Sequence, residues 1–352
     1  MSISELLATT NESPLEVAYC AQLQAIRQRE TKGGKPYLEW TIADATGTIT
    51  LKVWNNHPQF DAANEIDAET LLNLSGEWTQ NQYGVDGKGW KFRFLTEEEK
   101  SDFLAGDPVT REKQNGDWAD ILNFLGQLND PRLKAICDEF VAQFEERFRR
   151  TAAARKNHHA RRGGLVEHVA QMMRSAAAIC GVYPYLNRDL MIAGVLFHDC
   201  GKLWENTYPE SGFNQLHLMH GEMLGHIPLG MELVNKLWRD LPLDTWKEVE
   251  PTSEEVRLHL LHLIASHHGQ HDFGSPTLPR TPEAHALHYI DNLDAKLEMV
   301  KDAYATANET VPGIFERKFP LPAPLVTPLA PVAGATSETV KETPPPISNE
   351  LF

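Results

Sequence analysis

The stretch Gly34–Asn55, GKPYLEWTIADATGTITLKVWN, decides how the first part of the chain folds. YLEWTIAD alternates apolar and polar side chains, ATG turns, and TITLKVWN alternates again with β-branched residues. That is the pattern of two half-buried strands joined by a tight turn. Upstream, EVAYCAQLQAI alternates in the same way and is set off by the turn residues of TKGGKP. Downstream, a polar, helix-compatible stretch (NHPQFDAANEIDAET) leads to two more strand-like runs, LLNLSGEWTQNQYG and KGWKFRFLT. Residues 15–98 therefore read as five short strands with one helical insertion between the third and the fourth.

This order matches the partly open, five-stranded OB barrel. Such barrels bind single strands by stacking bases on aromatic rings beside cationic side chains. Trp40, Trp78, Tyr83, Trp90 and Phe92 are available, but a barrel this small needs most of its rings as core. Tyr37 and Trp54, at the ends of adjacent strands, are the candidates for stacking, with Lys32, Lys35 and Lys52 nearby.

From residue 99 the period changes. WADILNFLGQL and RLKAICDEFVAQFEERF carry apolar residues at three- and four-residue steps, as helices packing one face do. Residues 99–160 read as a helical connector with a basic segment, and 161–315 as an all-α bundle. Residues 316–352, rich in proline and small side chains, are expected to be a disordered tail, and residues 1–14 a short N-terminal tail. The fold class is multidomain α+β.

Composition narrows the function. No apolar run approaches the roughly 18–20 residues that span a bilayer. The polar, acidic start MSISELLATTNESPLE is not expected to act as a signal peptide, and Cys20, Cys137, Cys180 and Cys200 form no C-x-x-C pair. A cytoplasmic protein with reduced thiols and no membrane partner is expected; self-association is left open. The formal charge of −16 argues against coating nucleic acid by bulk attraction. One segment runs the other way: Arg147–Arg162, RFRRTAAARKNHHARR, holds seven Arg or Lys and no acid. Because it leads into a histidine-rich region, Lys156, His158, His159 and Arg161, with Arg162, are expected to grip a substrate phosphate backbone.

Fourteen of the fifteen histidines fall between His158 and His288. Neutral imidazole and carboxylate are the usual ligands of zinc, manganese, iron and similar ions. The central signal is His198-Asp199 in LFHDCGK: adjacent ligands on one turn can reach the same ion, and a carboxylate has two oxygens with which to bridge two. His168 (GGLVEHV), His226 (MLGHIPLG), His267 (IASHHG) and Asp291 (HYIDNLDAK) lie on other helical segments and can join only if the helices bundle. His267 is preferred over its neighbour His268, which is left for phosphate contact. Asp294, one turn after Asp291, is expected to orient rather than ligate. Lys202, four residues after His198, can return to the same site and stabilise phosphoryl oxygens.

This set resembles the HD-domain metallophosphohydrolase superfamily, and specifically its two-metal members. The resemblance implies that His168, His198, Asp199 and Asp291 hold one ion, and that Asp199, His226 and His267 hold the other. TKGGKPYLEW…TGTITLKVW, ARKNHHARRGGLVEHV, NRDLMIAGVLFHDCGK, LIASHHG and ALHYIDNLDAK together are similar to the YhaM-like 3′-to-5′ exoribonucleases, over roughly residues 15–310. FRRTAAAR departs from that pattern, standing where an apolar, proline-containing phrase is expected. The implied activity is a metal-dependent exoribonuclease on single-stranded RNA, with single-stranded DNA also open. Its cofactors would be two divalent ions, manganese first, with iron, cobalt or nickel acceptable. Two ions side by side lower the pKa of a shared water and neutralise charge on the phosphoryl oxygens; Asp199 and Lys202 are the catalytic candidates. Competing readings are a nucleotide or cyclic-dinucleotide phosphohydrolase and an inactive RNA-binding protein.

Overall fold

The computed structural model describes residues 1–8, 14–31, 33–81, 84–155, 158–213, 215 and 218–329. Lys32, Tyr83 and Lys156 lie outside these residues.

Strands β1 (Leu15–Glu30), β2 (Pro36–Ala43), β3 (Thr48–Trp54), β4 (Leu71–Asn81) and β5 (Gly84–Phe94) form one antiparallel sheet in the order β3-β2-β1-β4-β5. The long β1 makes closure possible. Its first half, to Gln22, pairs with β4, and its second half pairs with β2. An irregularity between Leu23 and Ala25 bends the strand where it changes partner. Alternation sends Tyr19, Leu38, Trp40, Ile42, Leu51, Val53, Leu74, Trp78, Trp90 and Phe92 into one core. Trp40 lies edge-on to Phe92 at 5.1 Å and Tyr19 edge-on to Trp78 at 5.0 Å, so the rings are core, as so small a barrel requires. The helical insertion is a short helix, α2 (Phe60–Asn64). These features make the first domain an OB barrel.

Two differences from expectation concern the ends. Residues 3–8, taken as tail, form helix α1 (Ile3–Ala8), with Ile3 and Leu6 buried in the barrel core. Its start is tied down by Asp44, which accepts from the Ile3 N–H at 2.7 Å. At the other end the chain divides into two units, 1–305 and 306–352. In the second, β6 (Glu309–Val311) and β7 (Ile314–Phe315) pair, and Val326 bridges to Ile314. Part of the expected disordered tail is thus hydrogen-bonded; residues 330–352 lie outside the described residues.

Nine helices follow the barrel among the described residues: α3 (Glu97–Ala105), α4 (Pro108–Gly126), α5 (Pro131–Arg150), α6 (Gly164–Val182), α7 (Arg188–Phe197), α8 (Met219–Leu224), α9 (His226–Asp240), α10 (Ser253–Ser266) and α11 (Pro282–Thr306). Their starts are chemically marked. Thr96 and Thr252 form capping boxes with Glu99 and Glu255, and Asp107-Pro108 and Asp130-Pro131 supply a cap followed by a proline that needs no N–H. Helix α7 carries no charge after Asp189 and is buried from Leu190 to Phe197. It is the central rod of the bundle, with α4, α5, α6 and α10 packed around it. No described helix is long and apolar enough to cross a membrane.

Candidate metal centre

The end of the central rod sets the site. His198 is the residue just after α7, and Asp199 opens a 3-10 turn, Cys200–Trp204. Gly201 lets that turn lie against the start of α9: a Cβ there would stand 1.9 Å from the His226 carbonyl oxygen. Only a glycine permits this approach, and the approach brings His226 to Asp199. Helix α6 contributes His168, the residue after α10 is His267, and α11 presents Asp291, Asp294 and Glu298 on one face at steps of three and four.

Asp199 is the hub and is 2% exposed. Its Oδ2 lies 3.3 Å from His198 Nε2, 3.8 Å from His168 Nε2 and 2.6 Å from Lys202 Nζ. Its Oδ1 lies 3.4 Å from His226 Nε2 and 3.6 Å from His267 Nε2. His168 Nε2 is also 3.3 Å from His198 Nε2 and 3.4 Å from Asp291 Oδ1. The six residues singled out in the sequence therefore converge around one carboxylate, whose two oxygens face different histidines.

Each ring has its other nitrogen engaged. Nδ1 donates to Asp294 Oδ2 from His168 (2.7 Å), to Val195 O from His198 (2.8 Å), to Glu205 Oε2 from His226 (2.9 Å) and to Ile264 O from His267 (2.8 Å). An Nδ1–H donor fixes ring orientation and points Nε2 inward, the arrangement found at metal-bound histidines. Asp199 Oδ1, His226 Nε2 and His267 Nε2 are buried with no hydrogen-bond partner. Such atoms, in a donor set of imidazole and carboxylate, fit a divalent ion.

Electrostatics follow the same plan. Burial opposes the Asp199 charge, but Lys202 and His198 hold its carboxyl well below the usual range. Burial, then the neighbouring His268 and His198, keep His267 neutral. Burial also disfavours charge on His168, yet Asp291 and Asp294 overcome it and push its pKa up to about 9.

The remaining sequence candidates divide. His158 is partly buried, its Nδ1 has no partner, and burial and Lys202 bring its pKa down to about 4. His268 is also partly buried, its ring 5.1 Å from His226 and its Nδ1 donating to Phe273 O at 2.7 Å. Tyr37 and Trp54 are cross-strand partners on the outer face of the barrel, with ring centroids 5.1 Å apart and Lys52 Nζ 5.8 Å from the Trp54 ring.

Within the basic run, His159 and the described arginines have protein partners. His159 is buried with Nε2 3.0 Å from Asp294 Oδ2, and Arg161 binds Glu167 at 2.6 Å and Glu298 at 3.1 Å. Arg155 pairs with Glu222 at 2.6 Å, and Arg162 donates to the backbone carbonyls of Pro209, Glu210 and Gly212. Arg147 donates to Leu203 O, Arg149 to Asn115 and Glu145, and Arg150 lies beside Glu146 and Glu210. For Arg161 the reason is physical: Glu167 on α6 and Glu298 on α11 are buried carboxylates that need a cation. Glu205, which orients His226, was not marked in the sequence; its partner lies 21 residues on, with no spacing signal to join them.

A barrel joined to an all-α bundle with this buried histidine–aspartate centre defines a metal-dependent hydrolase, and residues 165–296 match the HD domain family. The 3′-5′ exoribonuclease YhaM of Geobacillus sp. (strain WCH70) is 32% identical over 299 residues, 84% of this chain and 86% of that protein. The chain belongs to the YhaM 3′-5′ exoribonuclease family. Among solved structures, the second OB-fold domain of replication protein A from Methanococcus maripaludis matches at 22% identity, over 28% of this chain and 95% of that one, with a TM-score of 0.21. The p204 HINb domain matches at 16% identity over 27% of this chain, with a TM-score of 0.21; the match spans 46% of that structure, less than half its length.

Proposed function

We propose that this chain degrades single-stranded RNA from its 3′ end, the barrel presenting the strand and the bundle hydrolysing it. Substrate and polarity are supported by the relative that carries the name 3′-5′ exoribonuclease. The centre would hold two divalent ions, manganese by preference: one on His168, His198, Asp199 and Asp291, the other on Asp199, His226 and His267. One observation carries this reading: Asp199 Oδ1, His226 Nε2 and His267 Nε2 are buried and unpaired while Nδ1 of His168, His198, His226 and His267 is engaged. Leaving such atoms without a partner costs about 1–3 kcal/mol each, and a cation relieves all three together.

Bound ions would make hydroxide available near neutral pH and offset charge on the phosphoryl oxygens. The protein supplies the rest. Asp199 carries the charge that two cations share, and Lys202, held at its Oδ2, presents an ammonium to the phosphoryl oxygens. His158 and His268, both partly open, would contact the scissile phosphate, with Lys156 as a further contact. His159 and Arg161 serve instead to hold Asp294 and Glu167 in place. Tyr37 and Trp54 would stack bases.

The test is 5′-end-labelled RNA, single-stranded DNA and free nucleotides, each incubated with purified protein and a panel of divalent metals. A metal-dependent ladder shortening from the 3′ end is expected. Hydrolysis confined to free nucleotides would shift the reading to a nucleotide phosphohydrolase, and binding without turnover would shift it to an RNA-binding protein.

A further inference from the structure

Between Asp199 and His226 the chain leaves the bundle and reaches the barrel. At its tip the Phe213 N–H donates to Gln22 Oε1 at 2.6 Å, and the Phe213 carbonyl accepts from Gln24 Nε2 at 2.9 Å. Gln22 is 1% exposed and Phe213 4%. The Phe213 ring stands edge-on to Phe103 at 5.1 Å, and a Cβ on Gly212 would lie 2.5 Å from Gln22 Nε2, so the fit is close. Gln22 and Gln24 flank the point where β1 exchanges β4 for β2.

The same segment is held from the bundle side. Arg162, two residues before the start of α6, donates to the carbonyls of Pro209, Glu210 (3.1 Å) and Gly212 (2.9 Å). Lower down, the Ala152 N–H donates to Asn206 O at 3.0 Å. At its base stands Glu205, whose Oε2 accepts from His226 Nδ1.

We infer that Gln22 and Gln24 are positioning residues for the metal centre. Two hydrogen bonds on the Phe213 backbone, one donated and one accepted, fix both its place and its rotation. With Arg162 they leave residues 209–213 a single path, and that path delivers Glu205 to His226. Without them the segment regains the conformational freedom of a long surface loop, and Glu205 no longer holds the imidazole in one orientation. A buried amide whose closest partner is another domain's backbone has no part in gripping a strand. Gln22 also lies seven residues along β1 from Arg29, the cross-strand partner of Tyr37, which is about 23 Å at strand spacing. The barrel thus completes the catalytic centre through one end and meets RNA through another.

This inference rests on the hydrolase reading above, and the test separates the two. Full-length Gln22→Ala, Gln24→Ala and, as a control on exposed α2, Asp61→Ala are compared with wild type. Turnover of bis(p-nitrophenyl) phosphate, too small to touch the barrel, is measured with manganese, and Co²⁺ affinity is read from its visible absorption. The glutamine variants are expected to lose about tenfold or more in kcat and in Co²⁺ affinity, the range for groups that orient metal ligands, with KM little changed. Asp61→Ala should match wild type. Gln24 is only partly buried, so its variant remains informative if Gln22→Ala fails to fold. Gln24→Lys restores a donor towards the Phe213 carbonyl and should recover most of the loss. Glutamine variants with wild-type kcat and wild-type Co²⁺ affinity would overturn the inference. Should wild type turn over no phosphodiester while the variants still bind Co²⁺ weakly, the hydrolase reading fails and the positioning role stands.

Discussion

Loading the centre with metal should expel a proton. His168 has carboxylates at both nitrogens, Asp294 at Nδ1 and Asp291 at Nε2, and its pKa is pushed up to about 9. Without metal, the ring at pH 7 therefore carries both protons. A metal needs the Nε2 lone pair, so that proton must leave. Two pH units separate pH 7 from about 9, which costs ~2.7 kcal/mol, or ~100-fold in apparent affinity, at 1.36 kcal/mol per unit. Affinity should rise about tenfold per unit from pH 7 to 8 and flatten near 9. The sign for stability runs the other way. The folded pKa lies above the ordinary value of 6.5, so the stabilisation of metal-free protein is full below pH 6.5 and is lost as pH rises through about 9. Calorimetric titration with Mn²⁺ in two buffers of different ionisation heat counts the protons directly. About one should be released per centre at pH 7, and fewer in Asp294→Asn, where half of the support for the charged ring is gone. No proton release, with affinity flat from pH 7 to 8.5, would refute the reasoning.

Asp199→Asn should remove bound metal and hydrolysis together while RNA binding through the barrel persists; it also leaves Lys202 buried without its partner, a loss of about 3–5 kcal/mol in stability. Metal analysis and an RNA ladder check this, and turnover within about tenfold of wild type, far from the loss expected of a bridging ligand, would sink the assignment. Trp54→Ala should raise KM for RNA by about 5- to 150-fold, the equivalent of one stacked base, and an unchanged KM would remove the Tyr37–Trp54 face from strand binding. Gly201→Ala should lower stability by about 1–3 kcal/mol or more, because its Cβ must displace the start of α9, and should weaken metal binding through His226. A wild-type melting temperature would show that the approach of turn and helix is not required.

How much of this was legible varies with the range of the interaction. The five strands followed from alternation, and the central helix from NRDLMIAGVLF, because both patterns are local. Six centre residues were legible through order and chemistry, although no spacing links His168 to Asp291. The partners of the basic run were not legible, because charge composition does not disclose them. Arg161 reaches Glu298 across 137 positions and His159 reaches Asp294 across 135. Gln22 and Phe213, 191 positions apart, are ordinary residues in their own segments. Only the folded path makes them neighbours.

The engagement of every described arginine between Arg147 and Arg162 by a protein partner has a consequence for kinetics of encounter. With 49 acidic and 33 basic residues, this chain presents an approaching polyanion with a repulsive far field. Proteins that steer nucleic acid by opposite charge lose association rate as ions are added. Here the balance is inverted: counter-ions that shorten the Debye length to about 8 Å at physiological strength screen repulsion first. On the proposed reading, added salt would therefore speed rather than slow the encounter with RNA.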